Sequence, residues 1–96
     1  MQNLSKKQKE LYKAISKILW EKWDPIGVYN EDDEWDDEYD SYVPHIFRLA
    51  VEGKDAVRIA QSLSLSVKND IGLNEDKAHD LKIANLIVQA KINILG

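Results

Sequence analysis

Residues 80–95 read DLKIANLIVQAKINIL, and the conformation of this stretch decides the fold. Leu81, Ile83, Ala84, Leu86, Ile87, Val88, Ala90, Ile92, Ile94 and Leu95 fall nearly all round a helical wheel. A helix that is apolar on every side is central in a core or shared with a partner, and the pattern leaves both readings open. The β-branched residues near Ile92 also leave open a strand-like finish. At the other end Asn74 is the expected cap, with Glu75 and Asp76 favourable at the positive end of the helix dipole.

The elements upstream follow from local stop and start signals. NDIGLN (69–74) is a turn, with Ile71 and Leu73 as its apolar plugs. Asp55 caps a helix to about Lys68, with Ala56, Ile59, Ala60, Leu63 and Val67 as its stripe. Gly53 stops a preceding helix from about Ser41 to Glu52 that carries Ile46, Leu49 and Ala50 inward. Pro44 is tolerated there because it lies in the first turn, and Asp40 and Ser41 are the expected caps. WDPIG (23–27) ends a first helix from about Lys6 to Trp23, because Pro25 biases Asp24 away from helical angles. Ser5 caps that helix, and Leu4, Leu11, Ile15, Ile18, Leu19 and Trp23 fall at helical spacing as its apolar face. Strand-like alternation is absent. The expected fold is an all-α, single-domain bundle of about four helices over residues 1–96, with an acidic loop or helix extension between the first two.

Composition narrows the classes of function. The absence of cysteine excludes disulfides, thiolate metal sites and cysteine nucleophiles, and fits a reducing compartment. The start, MQNLSKKQKELYK, is too polar for a signal peptide, and no apolar run approaches the roughly 18 residues of a spanning helix. A cytoplasmic protein with no membrane partner is the expectation.

Enzymatic and metal chemistry find little footing. His45 and His79 stand in no catalytic or zinc spacing. Ser62, Ser64 and Ser66 lack a nucleophile elbow, and the four glycines are not clustered into a phosphate loop. A calcium loop counted from Asp32 fails, because Asp37 occupies the glycine position and Val43 the bidentate glutamate position. The expectation is a protein with no catalytic residue, no metal and no cofactor. Lys6, Lys7, Lys9, Lys13 and Lys17 read as the solvated face of an amphipathic helix rather than a nucleic-acid surface, which the acidic segment would oppose.

That acidic segment is the strongest signal in the chain. Glu31, Asp32, Asp33, Glu34, Asp36, Asp37, Glu38 and Asp40 are eight of the 17 acidic residues, with no base among them. Without them the chain has 13 basic residues against nine acidic ones, so a weakly basic body carries one dense negative patch. Such crowding destabilises a folded chain unless solvent, a cation or a basic partner offsets it. Trp35, Tyr39, Tyr42 and Ile46 recur at helical spacing through and beyond the patch, so the rings either pack on the body or anchor a partner that the acids steer in. A carboxylate-rich surface can also fill a nuclease site built for phosphates.

WEKWDPIGV, DEYDSYVPHI, EGKDAVRIAQSL and IGL, in that order, resemble a family of small bacterial helical proteins with a W-D-P-I-G block followed by an acidic D-E-Y-D-x-Y block. The likeness runs from about Trp20 to Leu73. Trp23, Asp24, Pro25, Gly27, Asp37, Glu38, Tyr39, Asp40 and Tyr42 match the motif. The resemblance implies an immunity protein, or antitoxin, of contact-dependent growth inhibition and related polymorphic toxin systems. The expected partner is then a cognate protein toxin with a basic RNase or tRNase domain, met by residues Glu31 to Asp40 with Trp35 or Tyr39 as anchor. Residues 31–36 are more acidic than the motif requires, which makes them the place to look for partner specificity. The alternative is a non-enzymatic helical adaptor that self-associates through its apolar last helix.

Overall fold

The computed structural model describes residues 4–25 and 39–96. Among them the chain is helical throughout its regular elements and has no strand, so the protein is a small all-α bundle. Residues Glu31–Glu38, including Trp35, lie outside the described residues.

Helix α1 spans Lys6–Ile18 and starts where its capping box dictates. Ser5 Oγ accepts the Gln8 N–H at 3.1 Å, and Gln8 Oε1 accepts the Ser5 N–H at 2.9 Å. Two otherwise orphaned donors are thereby satisfied. The helix buries Leu11 and Ile15, then widens into a π-helical turn, Leu19–Trp23, that buries Leu19, Trp20 and Trp23. Asp24 stops it at φ +33°, ψ 61°, with its N–H on the Leu19 carbonyl. Pro25 denies Asp24 the right-handed helical region, and aspartate is among the few side chains that tolerate the left-handed one.

Helix α2 spans Val43–Val51 and is entered through a 3-10 turn, Asp40–Tyr42, with Pro44 in its first turn. Its cap corrects the sequence reading. Neither Asp40 nor Ser41 caps it; Tyr42 holds the cap position without a side-chain bond, and the Asp40 carboxylate is held elsewhere. Gly53, at φ +79°, turns the chain after α2. Helix α3, Ala56–Leu65, is capped by Asp55 as expected, through the Arg58 N–H at 2.9 Å. It too widens into a π-helical turn, Ser66–Ile71, before Gly72 reverses direction at φ +81°. Ile59, Ala60, Leu63 and Val67 are buried and Ala56 is half-buried, so the expected stripe is the one that packs. Leu73 departs from expectation: it is 44% exposed and plugs nothing, whereas Ile71 packs on the core.

Helix α4 spans Lys77–Leu95, which removes the strand-like alternative for its end. Its cap is Asp76 rather than Asn74, with Asp76 Oδ1 accepting the His79 N–H at 3.0 Å. The helix packs against α3, α1, α2 and the π-turn after α1, and buries Ile83, Ala84 and Ile87. Its middle therefore belongs to this chain's own core. Leu81, Leu86 and Ile92 remain exposed, so the helix is not enclosed on every side.

Candidate protein-binding site

Both ends of the segment that carries the acidic run are fixed to the bundle, and the fixing residues are those of the WDPIG and DEYDSY blocks. At the near end, the Trp23 ring is only 1% exposed. Its Nε1–H donates to Asp80 Oδ1 at 3.0 Å, and Ser64 Oγ donates to Asp80 Oδ2 at 2.8 Å. One buried carboxylate thus joins the end of α1, α3 and α4. His79 Nε2 lies 2.9 Å from the Trp23 carbonyl oxygen. A carbonyl can only accept, so this nitrogen carries the ring hydrogen.

At the far end, the Tyr39 hydroxyl donates to Asp24 Oδ1 at 2.7 Å. This bond closes the base of the intervening segment, because Asp24 and Tyr39 stand on opposite sides of it. The Tyr39 ring is buried edge-on against Trp23, with centroids 5.4 Å apart, and tilted against Trp20. Tyr42 also meets Trp23 edge-on, at 5.5 Å. Offset and edge-to-face pairs of this kind add to the area they bury. Asp40 Oδ1 accepts the Ser16 hydroxyl at 2.6 Å, which ties the segment's exit to α1.

The expected ring stripe is therefore partly packing. Tyr39 and Ile46 are in the core and Tyr42 is half-buried, while Trp35 lies outside the described residues. Of the expected contact residues, Tyr39 presents no ring to solvent and Asp40 is exposed but already bonded to Ser16. Glu31, Asp32, Asp33, Glu34, Asp36, Asp37 and Glu38 fall between the two fixed ends in sequence and outside the described residues.

Asp80 was the residue that sequence reasoning missed. It sits in a polar first turn, AHDLK, which reads as solvated. The available signal was its register: Asp80, Ile83, Ala84 and Ile87 recur at helical spacing on one face, so the aspartate had to enter the core with its neighbours. Tyr39→Phe tests the closure at the other end. It should lower the urea midpoint by about 1 kcal/mol of stability with an unchanged m-value, the usual worth of one part-buried hydrogen bond. A wild-type midpoint would show that the Asp24–Tyr39 bond contributes nothing.

Chemistry other than binding has few candidates. Among the described residues no group of three histidines or carboxylates is placed to hold a metal ion. The Ser66 hydroxyl donates to the Ser62 carbonyl at 3.0 Å, the Ser64 hydroxyl to Asp80, and the His79 ring to Trp23. No helix among the described residues is long and apolar enough to cross a membrane. An open groove between α3 and α4 is lined by Val57, Ala60, Leu65 and Leu81, with Glu75 and Lys77 at its polar side. Val57 and Leu65 are more than half exposed there.

Compared with protein-family models, curated proteins and solved structures, the chain matches none. The class that the fold defines is a small all-α bundle, and its function has to be argued from the site.

Proposed function

We propose that the protein is a bacterial immunity protein that binds and neutralises a cognate toxin nuclease, a basic RNase or tRNase domain, in the cytoplasm. The observation that carries this reading is charge segregation. Eight acidic residues without a base occupy positions 31–40 of a chain whose remainder is weakly basic. The bonds from Asp24 to Tyr39 and from Ser16 to Asp40 hold the ends of that segment to the bundle. The likeness of the WDPIG and DEYDSY blocks to immunity proteins points the same way.

The mechanism follows from electrostatics rather than catalysis. A nuclease site is basic because its substrate is a polyanion. A dense array of carboxylates is attracted to such a site over several ångströms, and low salt strengthens the attraction. On contact the carboxylates take the positions of substrate phosphates. Charge gives fast association, and a desolvated ring gives residence. Tyr39 is committed to the core, so Trp35 is the ring assigned to anchoring. Residues 31–36, which the structural motif does not need, carry the choice of partner.

The reading is tested by expressing the reading frame immediately upstream of this gene, or its last few hundred codons, with and without this protein. Growth arrest that the protein relieves supports it. Arrest that the protein leaves untouched, or no arrest at all, overturns it.

A further inference from the structure

A cleft of about 440 Å³ opens where the start of α2 meets the π-helical end of α3. Ser41, Tyr42, His45, Ser66 and Asp70 line it together with buried Ile46. We propose that this cleft receives an arginine side chain of the bound partner; the source of that side chain rests on the immunity reading above.

The polarity of the cleft favours a cation. Asp70 is its carboxylate, exposed and in no ion pair among the described residues. The Ser66 hydroxyl hydrogen is committed to the Ser62 carbonyl at 3.0 Å, which leaves the Ser66 oxygen as an acceptor. Ser66–Ile71 is the C-terminal end of a helical run that begins at Ala56, and such an end carries partial negative charge. The start of α2 on the opposite wall would ordinarily attract an anion, but three of its positions offer no free donor. The Tyr42 N–H is on the Tyr39 carbonyl at 3.0 Å, the Val43 N–H is on the Asp40 carbonyl, and Pro44 has none.

The walls also suit the rest of the side chain. The half-buried Tyr42 ring offers apolar surface for methylenes, as long cationic side chains require. A guanidinium, planar and with five donors, matches a cleft lined by the Asp70 carboxylate and by serine hydroxyls better than a compact ammonium does. Ser41 follows Asp40, the last acidic residue of the run, so the cleft begins at the described end of that segment.

The probe is N-acetyl-arginine amide, titrated into the isotope-labelled full chain while amide resonances are followed, with inorganic phosphate as the contrasting ion. Shifts should concentrate at Ser41, His45, Ser66 and Asp70, and Asp70→Asn should weaken the apparent affinity about tenfold, the effect of removing one charged hydrogen-bond partner. Asp70 is exposed, so the variant should keep the wild-type thermal transition, which the same sample verifies. Shifts that are absent, confined to residues 31–38, indifferent to Asp70→Asn, or reproduced by phosphate would overturn the proposal. The titration needs no toxin. A cleft that binds the probe in a protein that gives no growth rescue removes the immunity reading alone, and the reverse pattern removes the cleft alone.

Discussion

Asp80→Ala should lower the stability of the protein by about 3 kcal/mol, because it orphans two buried donors, the Trp23 Nε1–H and the Ser64 hydroxyl. That is a large share of the roughly 5–10 kcal/mol expected for a domain of this size. Asp80 and Trp23 are each 1% exposed, so bulk solvent does not reach these donors in the folded protein. Asp80→Asn should cost about 1 kcal/mol. Its amide oxygen can still accept from Trp23, and the Ser64 hydroxyl can rotate to accept from the new N–H. Chemical denaturation with matched m-values reads both. Equal effects of the two variants would show that the negative charge, which both remove, rather than the pair of hydrogen bonds, is what the core depends on. A wild-type midpoint for alanine would remove Asp80 from the account of how α1, α3 and α4 are joined.

The second large effect concerns the surface rather than the core. Reversing Asp32, Asp33, Asp36 and Asp37 to lysine should weaken binding of the cognate nuclease domain by several kcal/mol, roughly a thousandfold or more, and slow association. Four carboxylates would be replaced by charges that the basic site repels. The loss should shrink as salt rises, since part of the attraction acts across water and is screened. Stability should not fall with it. The wild-type run repels itself, and mixing its signs relieves that repulsion. Stability and binding therefore separate the two groups of residues: Asp80 variants should lower stability, whereas the reversal should leave stability intact and weaken binding. Wild-type affinity in the reversed variant would overturn the assignment of residues 31–40 as the interface.

The helices were legible where a local rule acted without competition. Ser5 and Asp55 each cap the helix that follows, because the nearest free N–H lies three residues on and nothing else claims the side chain. The reading failed where a distant partner intervened. Asp40 looks like a cap for α2, yet Ser16 on α1, 24 residues away, takes its carboxylate. Asn74 and Asp76 are both good caps in sequence. Asp76 caps α4 in the fold, in a helix register that turns Asp80, Ile83, Ala84 and Ile87 inward together. The π-helical turns at Leu19–Trp23 and Ser66–Ile71 left no mark in propensity, and the second carries the helical run through Ile71, past Lys68 where the sequence reading ended it.

The site was legible in a different way. Its charge is a property of composition and needs no fold. The WDPIG and DEYDSY blocks drew attention as a functional signature, but Trp23, Asp24, Tyr39 and Asp40 spend their polar groups on Asp80, on one another and on Ser16. They fix the two described ends of the acidic segment to the bundle. On the proposed immunity reading, recognition falls to the residues between, Glu31 to Glu38.

The most direct measurement of the central claim is RNA integrity in cells that express the C-terminal part of the upstream reading frame, with and without this protein. Immunity requires cleaved tRNA or rRNA in its absence, intact RNA when it is co-expressed, and cleavage again with the four-residue reversal. RNA that is cleaved equally with and without the wild-type protein would contradict it.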